Sequence, residues 1–280
     1  MVKGYFNRIY DLIVRPEMKV LPGQLAFFLV LSIFPMLTLV GYIVSKITLL
    51  SGPFLNFFST FLPSSLTNIL IPFVTNNNVS DNVLFVMLLG FVLVSNGTYS
   101  IIVTSNEIYG IKDGNYLKGR LKALFMILIL LVLFVFILAV LAYGNNVLSY
   151  VLKLDFLSDF KNNIYFVFVF LRWPIAFLLF FAVLKVLYTV APDKKISSKF
   201  MNKGALFTTV GWIIATLIYS FYVSHVADYT LFYGSLSGIV IMMMWIYVLS
   251  FIFVMGIAIN ADDYLNYKKM NKEKKKSYNN

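Results

Sequence analysis

Six stretches of this chain are each long and apolar enough to cross a lipid bilayer, and that constraint precedes every other. About 20 apolar residues span the hydrocarbon core, and windows at roughly 23–45, 83–103, 123–143, 164–190, 205–223 and 236–259 satisfy it. With 60% hydrophobic and only 12% charged residues in 280, the composition departs from that of a soluble domain. The expected fold is all-α: a polytopic membrane helix bundle of six transmembrane helices. A cleaved signal peptide is not expected, because the first window is about twice the usual length of a signal h-region and lacks a small-x-small cleavage site.

Basic residues alternate from loop to loop. Four lie in residues 1–22 (Lys3, Arg8, Arg15, Lys19) and four between windows two and three (Lys112, Lys118, Arg120, Lys122). Four more lie between windows four and five (Lys194, Lys195, Lys199, Lys203), and six follow Asn260 (Lys268, Lys269, Lys272, Lys274, Lys275, Lys276). The three intervening loops hold only Lys46, Lys153 and Lys161. Short basic segments stay on the cytoplasmic side, so the expectation is a multi-pass plasma-membrane protein with both termini cytoplasmic. The net charge of +11 then belongs mostly to that face and requires no specific nucleic acid. Anionic membrane lipids are the expected partners, at about 1 kcal/mol for each well-placed Lys.

Between the windows, Phe6, Ile9, Tyr10 and Ile13 recur at helical spacing, as in an interfacial helix on the cytoplasmic surface. Residues 46–82, interrupted by Pro53, Pro63 and Pro72, and the stretch "NVLSYVLKLDFLSDF" predict short outer helices. Residues 1–267 thus form a single membrane domain, and 268–280 a basic disordered tail. The absence of Cys excludes disulfides and thiolate metal sites, and frequent Lys, Asn and Ile suggest a bacterial origin.

Polar groups inside the windows are the candidates for function. Pro35 frees a backbone carbonyl in the first span, and Ser32 lies one turn before it. Two readings stand: a kink lining a polar cavity, or a kink that only shapes packing. Arg172, beside Trp173 and Pro174, lies about 12 Å along the fourth span. An intramembrane Arg costs at least about 2.5 kcal/mol and turns to a cavity, a carboxylate or a phosphate, unless it snorkels to the outer headgroups. Lys185 is placed to snorkel. Gln24, Asn96, Tyr219 and Tyr222 are further buried polar candidates, as helix-to-helix contacts or ligand groups. Gly234 and Gly238 form a small-residue pair for close helix packing. With a single His, at position 225, and Asp262 adjoining Asp263 without a third ligand, no metal site, cofactor or catalytic centre is expected.

The ordered motifs resemble those of the YihY/BrkB family of membrane proteins, over about residues 10 to 265. "LAFFLVLSIFPMLTL" is similar to that family's first-span signature through Leu25, Ala26, Ser32, Phe34 and Pro35. "NEIYGIKDGNYLKGRLKAL" resembles its second cytoplasmic loop, and "LRWPIAFLLFFAVLKVLYTVAPDKK" its fourth span, ending in the turn at Tyr188 and Pro192. The closing pattern is carried by Tyr233, Gly234, Trp245, Tyr247, Gly256 and Asn260, with Gly256 a packing position. Ile259 stands where the family often has Glu, so no role of that carboxylate transfers. The resemblance implies a six-span bacterial inner-membrane protein; some members carried the label ribonuclease BN, others an association with serum resistance. The preferred expectation is transport or handling of a lipid or organic anion through a polar cleft between spans one and four. Arg172, Gln24, Ser32 and Asn96 are its candidate binding residues, with kinks at Pro35 and Pro174. A structural envelope protein is the alternative, and a membrane nuclease the third reading.

Overall fold

The computed structural model describes residues 10–45, 81–112, 115–130, 161–225 and 237–278. The described residues of the six apolar windows are helical: α1 Pro16–Ser45, α2 Asp81–Tyr109, α3 116–130, which holds only the first eight residues of the third window, α4 Lys161–Val190, α5 Asn202–His225 and α6 Ser237–Tyr278. A 3-10 turn, Ser198–Met201, leads into α5. There is no strand among the described residues. Ser198–Tyr222 and Ile239–Asn271 are long and apolar enough to cross a membrane by length and composition, and Pro174–Val190 is a shorter apolar helix. The predicted outer helices, Gly234 and the start of the interfacial helix lie outside the described residues. What is described of the latter is a helical turn at 10–13 with Tyr10 and Ile13 exposed and Leu12 buried.

The basic segment from Lys268, expected to be a disordered tail, instead continues α6 to Tyr278, so that this helix reaches 42 residues. Lys, Glu, Met and Asn carry small helix penalties, and a helix already nucleated extends at one hydrogen bond per residue. Pro35 and Pro174, the expected kink positions, lie within α1 and α4, which run continuously through them.

The chain divides into two compact units. One comprises Ser32–Val94 and Ile127–Val183, and holds the middle of the chain's first, second, third and fourth windows. The other comprises Met1–Leu31, Ser95–Met126 and Leu184–Asn280, and is built around α6. Residues 253–261 of that helix are buried on every side, the pattern of a central helix. α5 is amphipathic in an inverted sense. Leu206, Val210, Ile213, Ile214, Leu217, Ile218 and Phe221 recur at intervals of three and four and are exposed, Leu217 by 66%. Gly204, Thr208 and Gly211 occupy the face toward α6. An apolar stripe of that width turned outward matches lipid rather than water as the surrounding solvent.

Glycine permits the α5–α6 contact. A methyl group added at Gly204 would meet the carbonyl oxygen of Gly256 and the side chain of Asn260; one added at Gly256 would meet Thr208 Oγ1 and the Tyr188 hydroxyl. A Cβ at Gly211 would lie 2.7 Å from Ile252 Cγ2. With the backbones so close, polar groups bind across the seam. The Tyr188 hydroxyl donates to Phe253 O at 2.9 Å and lies 2.7 Å from Thr208 Oγ1. Trp212 Nε1 donates to Leu249 O at 2.9 Å. The fully buried Asn260 accepts the Gly204 N–H at 2.8 Å, capping one of the unpaired amides that open α5. Close approach by small residues supplemented by hydrogen bonds is the usual basis of helix association in lipid.

Gly204→Ala should therefore destabilise the detergent-solubilised protein by about 1–3 kcal/mol or more, the cost of overpacking. Gly23→Ala, whose new methyl would meet only Tyr247 Cε2 at 3.9 Å, should melt like the parent. Equal melting of the two variants would refute the seam.

Candidate functional site

Polar and charged side chains gather where α2 ends, α3 begins, α4 ends and α6 passes Asn260. α2 stops at Gly110, whose φ of 61° is left-handed. Gly110 N–H donates to Glu107 O at 3.0 Å and Ile111 N–H to Asn106 O at 2.9 Å, the paired bonds of a Schellman motif. α3 restarts at Asn115, whose Oδ1 accepts the Leu117 N–H at 3.0 Å as an N-cap.

This placement sets Asn106 and Lys122 against the end of α4. Lys122 Nζ donates to Ala191 O at 2.6 Å and Pro192 O at 2.9 Å, and pairs with Asp193 Oδ1 at 2.8 Å. A cation on terminal carbonyls is favoured by the helix dipole. The Asn106 amide grips Asp193 twice: its Nδ2 donates to Oδ2 at 2.7 Å, and its Oδ1 accepts the Asp193 N–H at 2.9 Å. Desolvation pushes the Asp193 carboxyl upward but is outweighed by the hydrogen bonds from Lys122 and Asn106 and the Lys122 charge, so its pKa is lowered.

A second cation has different surroundings. Arg120 Nε donates to the Tyr116 hydroxyl at 2.8 Å, and Nη1 to Asn96 Oδ1 at 2.7 Å and Ser95 Oγ at 3.5 Å. The guanidinium carbon lies 4.6 Å from the Tyr99 ring centroid and 5.2 Å from that of Tyr116. Gly119 makes room, since a Cβ there would come within 2.9 Å of Tyr99 Cε2.

On α6 the adjoining carboxylates take separate partners. Asp263 pairs with Lys203 at 2.8 Å, and Asp262 lies 3.8 Å from Arg15. No group of acids and histidines able to hold a metal ion occurs among the described residues. Below them Tyr264 packs edge-on against Tyr109 and Phe200, and Lys199 lies over the rings of Phe200 and Tyr267.

A third feature is a buried polar stripe on α2: Ser95, Thr98, Ser100, Thr104, Ser105 and Asn106. Hydroxyls inside a helix usually bond back to the preceding turn, as Thr189 does to Lys185 O at 2.7 Å and Thr209 to Ala205 O at 2.8 Å. Ser100 Oγ and Thr104 Oγ1, four residues apart on one face, have no such partner, nor do Ser250 Oγ and Trp245 Nε1 of α6.

The residues expected to share one cleft fall in both units: Gln24 and Asn96 in the α6-centred unit, Ser32 and Arg172 in the other. Gln24, expected to be buried, is exposed, because Met18, Leu21, Pro22, Leu25 and Ala26 take the inward face of α1. Ser32 is buried, Asn96 is half-buried against Arg120, and Pro174 is exposed on α4. The Arg172 and Pro35 side chains lie outside the described residues. Tyr219 stacks on Trp245 at 5.6 Å, Tyr222 is exposed, and Lys185 is half-buried. Gly238 sits in the first turn of α6, and Gly256 is the packing position expected of it. His225 ends α5.

Sequence reasoning counted Arg120 and Lys122 as topology charges and missed their individual contacts. It also missed Asn106, Asp193, Thr208 and Gly204. The signal within reach was Tyr188 and Pro192, motif residues whose roles are now visible: one anchors α4 to α6, the other offers its carbonyl to Lys122.

Residues 10–279 match the family described as virulence factor BrkB. The chain belongs to that family. It is 30% identical over 245 residues to a ribonuclease-like protein of Bacillus subtilis, YfkH, covering 85% of this chain and 87% of the relative. It is 29% identical over 269 residues to a UPF0761 membrane protein of Vibrio parahaemolyticus, covering 92% and 81%. A UPF0761 membrane protein of Vibrio campbellii is 27% identical over 271 residues, with the same coverage. No solved structure matches. The family and the membrane-length helices together make this a membrane protein.

Because the Asp193 pKa is lowered, the stability it contributes is complete above the ordinary carboxylate value of 3.8 and is lost as pH falls through its lower folded value. Asp193→Asn should melt below the parent at pH 7, with the gap closing as the pH is taken below 3.8. A gap independent of pH would show that the carboxylate charge is not what holds the end of α4.

Proposed function

We propose that this chain is a six-span bacterial plasma-membrane protein, with both termini cytoplasmic, that transports or otherwise handles a lipid or organic anion through a polar interior. The observation that carries the reading is the pair Ser100 and Thr104, buried on α2 with hydroxyls that have no hydrogen-bond partner among the described residues. Leaving a buried hydroxyl unsatisfied costs about 1–3 kcal/mol, and such groups call for a functional account. Ser250 and Trp245 of α6 add two more donors of the same kind. On this reading Asn96, Ser32 and Arg172 contribute to anion or lipid binding, and Pro35 and Pro174 shape the helices that line the path.

Orientation can be tested directly, since the chain has no Cys of its own. Single cysteines replacing Lys19, Lys118, Lys195 or Lys269 should react with an impermeant maleimide only in permeabilised cells, and one replacing Asn77 in intact cells. Labelling of Lys118→Cys from outside would overturn the topology.

For the path, Ser100→Ala combined with Thr104→Val should cut flux of a fluorescent anionic lipid or organic anion in proteoliposomes at least about tenfold, while melting stays equal or rises because an unsatisfied pair has been removed. Unchanged flux would sink the role. It would favour the second reading, a structural envelope protein, whose support is the α5–α6 seam: a contact specified at Gly204, Gly256, Thr208 and Tyr188 needs no substrate to explain it. The ribonuclease-like name of the Bacillus relative is not carried over. Asp262 and Asp263 face Arg15 and Lys203, an arrangement suited to holding helices together rather than to binding a catalytic metal.

A further inference from the structure

We propose that Arg120, flanked by Tyr99 and Tyr116, is a binding site for a phosphate group, and that its ligand is the headgroup of an anionic membrane phospholipid. The inference deepens the reading above, on which it rests, by naming the anion and the side chain that receives it.

The argument begins with charge accounting. Arg15 and Lys122 each face a carboxylate. Arg120, also half-buried, meets only neutral acceptors among the described residues: Tyr116 Oη, Asn96 Oδ1 and Ser95 Oγ. A guanidinium has five N–H donors in a planar fork. Nε and Nη1 are engaged by the protein, and Nη2 has no acceptor among the described residues. The two tyrosine rings fix the plane of the group by cation–π contact, and they meet each other edge-on at 5.6 Å. The cation is therefore pre-positioned, without a carboxylate partner among the described residues and with donors to spare there, which suits a phosphate oxyanion.

The surroundings choose the source. Leu117, Leu121, Phe125 and Leu128 form an exposed apolar stripe along α3 beside Arg120. A free phosphate ion would gain nothing from the stripe, whereas an acyl chain would lie along it with its headgroup at the level of Arg120. The site stands at the start of α3, next to the loop that carries Lys112.

The test uses the full-length protein in detergent, by native mass spectrometry during titration with phosphatidylglycerol or phosphatidylcholine, and by thermal shift with inorganic phosphate. Arg120→Gln should bind phosphatidylglycerol about tenfold more weakly, as expected for loss of a charged hydrogen bond, while Lys118→Gln stays within twofold of the parent. Arg120→Lys keeps the charge but loses the fork, and should fall between them with parental melting, so it carries the test if Arg120→Gln does not fold. Stabilisation by inorganic phosphate that depends on Arg120, without lipid retention, would keep the phosphate site and overturn the lipid as its source. Retention equal in parent, Arg120→Gln and Arg120→Lys overturns the site, even where anion flux persists and the broader reading survives. Arg120-dependent retention in a protein without flux supports the site and removes transport instead.

Discussion

The approach of α5 to α6 at Gly204 and Gly256 is the contact on which the other features hang. Without a hydrophobic drive between helices in lipid, association rests on packing and hydrogen bonds. Two missing side chains let the backbones meet, and the meeting brings Tyr188 of α4 within reach of Thr208 and the Phe253 carbonyl. That fixes where α4 ends, and so where Ala191, Pro192 and Asp193 present themselves to Lys122 and Asn106. Thus a packing detail between the last two helices determines the position of a charged knot that ties the second, third and fourth.

Charges at this end are sorted by partner. Lys122 terminates a helix and holds a carboxylate; Arg15 and Lys203 hold α6 through Asp262 and Asp263. Arg120 is set on neutral acceptors and aromatic faces instead. Cations that looked equivalent as contributors to loop charge serve at least three physical purposes.

How much of this was legible in the sequence depends on range. Lipid imposes a local rule, a run of apolar residues, so the described parts of the windows are helical. Their ends were less visible because the helices persist into polar sequence; α6 keeps its hydrogen bonding through Lys268 and Lys269 with no proline to stop it. The site needed pairings that no local rule supplies. Asp193 meets Lys122 across 71 positions and Asn106 across 87. Gly204 escaped notice because its counterpart, Gly256, stands on another helix rather than four residues away. Gln24 failed as a buried group because one polar residue beside a buried face says nothing about which side it takes.

The unbroken course of α6 has a mechanical consequence. At 1.5 Å per residue, 42 residues extend about 63 Å, roughly twice the thickness of a bilayer's hydrocarbon core. Its lysines are borne on a stiff rod whose other portion is the most enclosed helix of its unit. Lys268 stands about 12 Å along that rod from Asn260, which caps α5. A load applied to the basic end is therefore transmitted as a tilt or twist at the glycine seam, with no slack segment between to absorb it.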